Sequence, residues 1–156
     1  MSRGDRREDI FEDDHDRRRF LETLAETCEK TRWQVQAYCL MSNHFHLVIE
    51  TPEANLVAGM KWFLSTYTIR FNRRHKEFGH LFSGRYKSLV VDGSGSGYLK
   101  TVCDYVHLNP VRGKLLKPEQ LLREFVWSSY PLYLASPARR QVLHKSKRRL
   151  RIFLSQ

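Results

Sequence analysis

The chain switches between two periodicities of polar and apolar residues, and the switches mark its elements. From about residue 14 to Lys30, Phe20, Leu21, Leu24, Ala25 and Cys28 recur at helical spacing, which predicts a helix with one apolar stripe, capped by Asp14 or Asp16. The period then drops to two. TRWQVQAYCL sets Val35, Ala37 and Cys39 against Gln34, Gln36 and Tyr38, MSN forms a turn, and FHLVIE reads as the antiparallel return strand of a hairpin. Helical spacing resumes after Asn55, a predicted cap, with Leu56, Met60, Phe63, Leu64, Tyr67 and Phe71. GHLFSGRYKSLVVD reads as a third strand with Arg85 and Lys87 on one face, GSGSG breaks the chain, and a last clear helix starts near Tyr98 and is ended by Pro110.

Two residues do not suit an ordinary strand. In the return strand alternate side chains share a face, so Phe45, Leu47 and Ile49 form a core face while His44, His46, Val48 and Glu50 point the other way. Two imidazoles one pleat apart can hold one divalent cation between them. A zinc hydrolase would need a third protein ligand and a general base, and no spacing in the chain supplies them.

Composition narrows the function classes. The length of 156 residues fits one domain able to bury a core without disulfides, and three cysteines, Cys28, Cys39 and Cys103, suit a reducing cytoplasm. No apolar run approaches the ~20 residues that span a bilayer, so a soluble protein without membrane contact is expected. The net charge is +10, and twenty of the 27 Lys/Arg but only seven of the 17 Asp/Glu lie after residue 30. Such a body points to a polyanion partner. Arg70, Arg73, Arg74, His75 and Lys76 crowd the end of the second helix, where they complement its dipole and can form a phosphate-binding rim. Residues 139–151 add seven Lys/Arg and no acid, the pattern of a disordered tail or a nucleic-acid arm.

RGDRREDIF, AYCLMSNHFHLVIETP, FNRRHKEFGHLFSGRYKS, YLKTVCDYVHLNPVRG and WSSY resemble, in order and spacing, the HUH single-tyrosine transposases of the IS200-like group, and within it the REP-associated tyrosine transposases. The resemblance implies an α+β fold: a ferredoxin-like split βαβ antiparallel sheet with helices on one face, a helical C-terminal extension, a domain over 1–135 and a basic tail over 136–156. It implies a nucleoid-associated enzyme, monomer or homodimer, that cleaves and rejoins single-stranded or hairpin DNA through a 5′-phosphotyrosine intermediate. His44 and His46 would hold Mg²⁺ or Mn²⁺, and Arg73, Arg74, Arg85, Lys87 and Arg112 would contact DNA.

For the tyrosine the resemblance favours Tyr98, the first residue of the family's Tyr-Leu-Leu segment, with Tyr105, seven residues on near the same helix face, as second candidate. Relatives often place a further polar ligand one turn after the tyrosine. Thr101 and Val102 stand there, and Asp104 and His107 point to other sides of the helix. Relatives also begin with a strand that ends just before the Arg-Gly. This chain starts at MSRGD, so the expectation is a sheet lacking that strand, or one in which another segment fills its slot. The alternative function is a non-catalytic nucleic-acid-binding module of the same ancestry.

Overall fold

The computed structural model describes residues 2–3, 8–82, 84–91 and 97–134. Its elements are β1 (Ser2–Arg3), α1 (Asp14–Thr31), β2 (Gln34–Leu40), β3 (His44–Glu50), α2 (Leu56–His75), α3 (Tyr98–His107), α4 (Asn109–Arg112) and α5 (Tyr130–Leu134), with a 3₁₀ turn over Leu122–Glu124. The fold is a mixed α/β one, an antiparallel sheet with helices. The strand order is β1-β3-β2. The slot expected to stand empty or to be filled by another segment holds two residues of the chain's own start, Ser2 opposite Phe45 and Arg3 opposite His44.

The hairpin forms as its alternation predicts, with one irregularity. Val35 pairs with Ile49 and Ala37 with Val48, so Gln36 is an extra residue, a bulge that breaks the alternation of β2. Val35 therefore packs with the main core, whereas Ala37 and Cys39 turn to the opposite face beside Val48. The main core lies between the sheet and α1 and α2. Phe20, Phe45, Phe63 and Tyr67 are fully buried in it, and Phe20 meets the other three rings at centroid distances of 4.8, 4.8 and 5.1 Å. Tilted and edge-on pairs of this kind add to the burial energy by opposing ring edges to ring faces.

The helices do not all lie on one face. Leu99, Val102, Cys103 and Val106 of α3 pack on Ala37, Cys39 and Val48, so α3 covers the sheet face opposite α1 and α2. The reason is the bulge together with Val48, which leave that face apolar enough to need a cover. The third strand expected after Gly79 is likewise replaced: residues 84–91 form no strand, and Leu89 and Val90 are exposed. β-propensity alone does not make a strand; it also needs a neighbouring edge in register to hydrogen-bond.

Two helix starts differ from the sequence reading. Asp13, not Asp14 or Asp16, caps α1, its carboxylate accepting from the His15 and Asp16 N–H groups. The Asn55 side chain makes no cap bond; it accepts from Trp33 Nε1 and donates to the Thr31 carbonyl, tying the start of α2 to the start of β2. The outer edge of β2 is closed from far along the chain. Tyr38 N–H donates to Ser129 Oγ, Ser129 N–H to the Tyr38 carbonyl, and Leu40 N–H to the Trp127 carbonyl. The basic tail from residue 136 lies outside the described residues.

Candidate active site

Strand geometry puts His44 and His46 on the α3 face of β3, both half-buried, with ring centroids 5.1 Å apart and planes at 81°. His44 Nδ1 lies 2.7 Å from Asn43 Oδ1. An amide oxygen only accepts, so with this contact Nδ1 carries the proton, the tautomer in which Nε2 bears the ring's lone pair. Burial, and then the neighbouring His44, lower the His46 pKa from 6.5 to about 4. At neutral pH its imidazole is uncharged, the form that ligates metals. Among the described residues no group of three or more His, Cys, Asp or Glu side chains converges here.

The tyrosine brought to this pair is Tyr105. Its ring stands edge-on to His46, with centroids 6.4 Å apart, and it is 51% exposed. The local sequence explains the placement. The Asn109 side chain donates to the Tyr105 and Val106 carbonyls, closing the end of α3, and Pro110 opens α4 where its missing N–H costs nothing. Leu108 keeps right-handed helical dihedrals and the Arg112 N–H donates to the Leu108 carbonyl, so Arg112, two turns on, returns to the Tyr105 side with its guanidinium 4.6 Å from the ring centroid. Tyr98, about half exposed, begins α3 after Gly97, seven residues and about 10 Å of helix rise from Tyr105. Leu99, Val102, Cys103 and Val106 seat α3 on the sheet, so the polar stripe through Tyr105 borders the histidines.

Neither acid-base neighbour on α3 joins the pair. Asp104 is ion-paired with Lys100 at the surface. His107 is buried against Tyr130 and Tyr133, its Nε2 2.8 Å from Ser129 Oγ, and burial lowers its pKa. It is a structural histidine that fixes the Ser129 closure of β2.

The arginines divide. Arg73, Arg85 and Lys87 lie at the surface, and Arg112 lies at Tyr105. Arg74 is engaged: it donates to Asp13 and to the buried Asp16, whose carboxylate also meets His75 and the Glu12 N–H. Arg70 is held in a two-pronged pair with Glu26. The resemblance favours Tyr98 for its place at the head of the Tyr-Leu-Leu segment; the structure sets Tyr105, the second candidate, beside His46.

The description of the family model that matches the chain is Transposase IS200 like, and the match covers residues 1–109. Comparison with curated proteins and with solved structures finds no match. No described helix is long and apolar enough to cross a membrane.

Proposed function

Because the chain belongs to the IS200-like transposase family, a family of DNA-cleaving enzymes, we propose that it cuts and rejoins single-stranded or hairpin DNA through a covalent bond to Tyr105, on a ferredoxin-like sheet. The observation that carries the reading is the edge-on contact of Tyr105 with His46, on the same face as His44.

The two histidines fit a divalent cation: His46 is held uncharged, and His44 lies beside it on the same face with its Nδ1 on Asn43. With two protein ligands, an ion such as Mg²⁺ or Mn²⁺ that keeps several waters suits the site better than zinc. Bound there, it supplies positive charge to the oxygens of the scissile phosphate. The Tyr105 hydroxyl oxygen attacks phosphorus in line, its proton passing to solvent, and the bond to the 3′ oxygen breaks. The products are a 5′-phosphotyrosine and a free 3′-OH. Attack by a 3′-OH reverses the exchange and frees the tyrosine. Arg112, over the Tyr105 ring, holds the ring and presents a fork of donors to the phosphate. The exposed Arg73, Arg85 and Lys87 supply sequence-independent attraction to the backbone.

The test is incubation with labelled single-stranded hairpin DNA and Mn²⁺, then a denaturing gel. A covalent adduct lost in Tyr105→Phe and His46→Ala but kept in Tyr98→Phe is the expected result. An adduct lost only in Tyr98→Phe would move the nucleophile to the start of α3. Binding without any adduct would leave a nucleic-acid-binding module.

A further inference from the structure

The turn that leaves α2 is built with care around a side chain that does nothing for the core. Lys76 takes the left-handed conformation at φ 58, the Lys76 and Glu77 N–H groups donate to the Asn72 carbonyl, and the Asn72 side chain donates to the Gly79 carbonyl. Gly79 itself sits at φ 97, a conformation that suits glycine. The turn so fixed presents Phe78 at 98% exposure. Beside it Ile69 is also exposed, and the two line an open groove of about 480 Å³ with Arg73, Lys76 and Glu77.

We propose that this groove is a subsite for an unpaired nucleobase of single-stranded DNA, stacked on Phe78. The inference deepens the DNA reading above and rests on it. An aromatic face accepts any base, and the charges beside it select a polyanion: two cations against one carboxylate, on a body of net charge +10. The neighbouring Arg74 and His75 do not dilute this, since both turn to Asp16. The groove belongs to the α2 side of the sheet, the face opposite the histidines. α2 follows β3 and runs back across the sheet, so its last turn returns to the end of the sheet where β3 begins. Phe82, four residues beyond Phe78, packs its ring 6.0 Å from Phe45, on the face of β3 opposite the one that carries His44 and His46. Four residues reach at most about 14 Å, so a strand passing from the groove to the histidines would round the end of the sheet where β3 begins. Duplex DNA keeps its bases stacked inside and gains nothing from an aromatic platform.

The test is fluorescence anisotropy of the full chain with a fluorescein-labelled single strand and with the matching duplex. Phe78→Ala should lose about 5- to 100-fold in affinity for the single strand and none for the duplex, while Phe78→Trp keeps the affinity and its added emission is quenched by the strand. Because Phe78 packs on no core residue, thermal melting of both variants should match the parent. If the parent binds the single strand and Phe78→Ala binds it equally, the subsite is overturned and the DNA reading stands. A parent with no affinity for either DNA overturns both. Self-association that is lost in Phe78→Ala in sedimentation, with unchanged strand affinity, would assign the face to a second copy of the chain and overturn the subsite.

Discussion

Acidifying the metal-free protein should loosen the histidine strand, and His46 sets the window. Its pKa falls from 6.5 to about 4, first through burial and then through the charge on His44. The unfolded chain takes up a proton there as pH drops through 6.5, whereas the folded chain resists until pH is near 4. Between those limits the unfolded state binds more protons, so stability falls as pH falls; above them His46 contributes nothing. At full strength the gap amounts to about 3 kcal/mol, and partial exposure of the ring cuts this to about 1.5 kcal/mol. For a chain of this size that corresponds to about 3–6 °C in Tm. The assay is circular-dichroism melting in chelator from neutral pH down to acid, for the parent and for His46→Gln, which removes the titrating group while the five histidines other than its neighbour His44 cancel in the comparison. The parent should lose that much more Tm than the variant. Parallel curves would refute the claim that His46 is held neutral by its surroundings. Added Mn²⁺ at neutral pH should raise the parent's Tm and not that of His46→Gln, because a ligand that binds only the folded state stabilises it.

Three further outcomes test other parts of the structure. Tyr105→Phe should abolish the DNA adduct with the fold intact, and Tyr98→Phe should retain it, as read on the denaturing gel. Gly59→Ala would place a methyl 2.2 Å from Trp33 Cζ2; moving the indole or α2 should cost about 1–3 kcal/mol, measured by urea unfolding. Tyr67→Phe removes the hydroxyl that donates to the buried Ile10 carbonyl at 2.7 Å, and the orphaned acceptor should cost about 1–3 kcal/mol. Because Ile10 N–H in turn holds the Ser42 carbonyl, the same variant should weaken Mn²⁺ binding at the next residues, measured by calorimetry.

The hairpin, α1, α2 and the start of α3 were legible because each is a long run of one period, and its apolar stripe points at one core. The failures share a physical cause. A bulge at Gln36 changes faces without leaving a mark in the alternation, so the second apolar face, and α3 upon it, were not foreseen. Residues 84–91 have the composition of a strand, but composition does not supply a neighbouring edge. In the site, His44 and His46 announced themselves by register alone, since a period of two decides which side chains meet. The approach of Tyr105 to His46 is not legible in the same way, because it depends on α3 packing across the sheet, a tertiary event. Arg74 read as a free cation until the fold brought Asp13 and Asp16, some sixty residues away, within reach.

The closure of β2 by Trp127–Ser129 has a consequence for the order in which the molecule is made. Tyr38 and Ser129 are 91 residues apart, and their paired hydrogen bonds are among the longest-range contacts in the chain. Bringing such distant segments together carries a large loop-closure entropy, so this contact forms late, after the local hairpin and α1 have condensed. During synthesis the hairpin is complete long before residue 129 emerges, and until then the outer edge of β2 stands open as a template for other chains. Aggregation of nascent or C-terminally clipped chains is therefore the characteristic failure of this fold, and it is expected to begin at Tyr38–Leu40 rather than in the aromatic core.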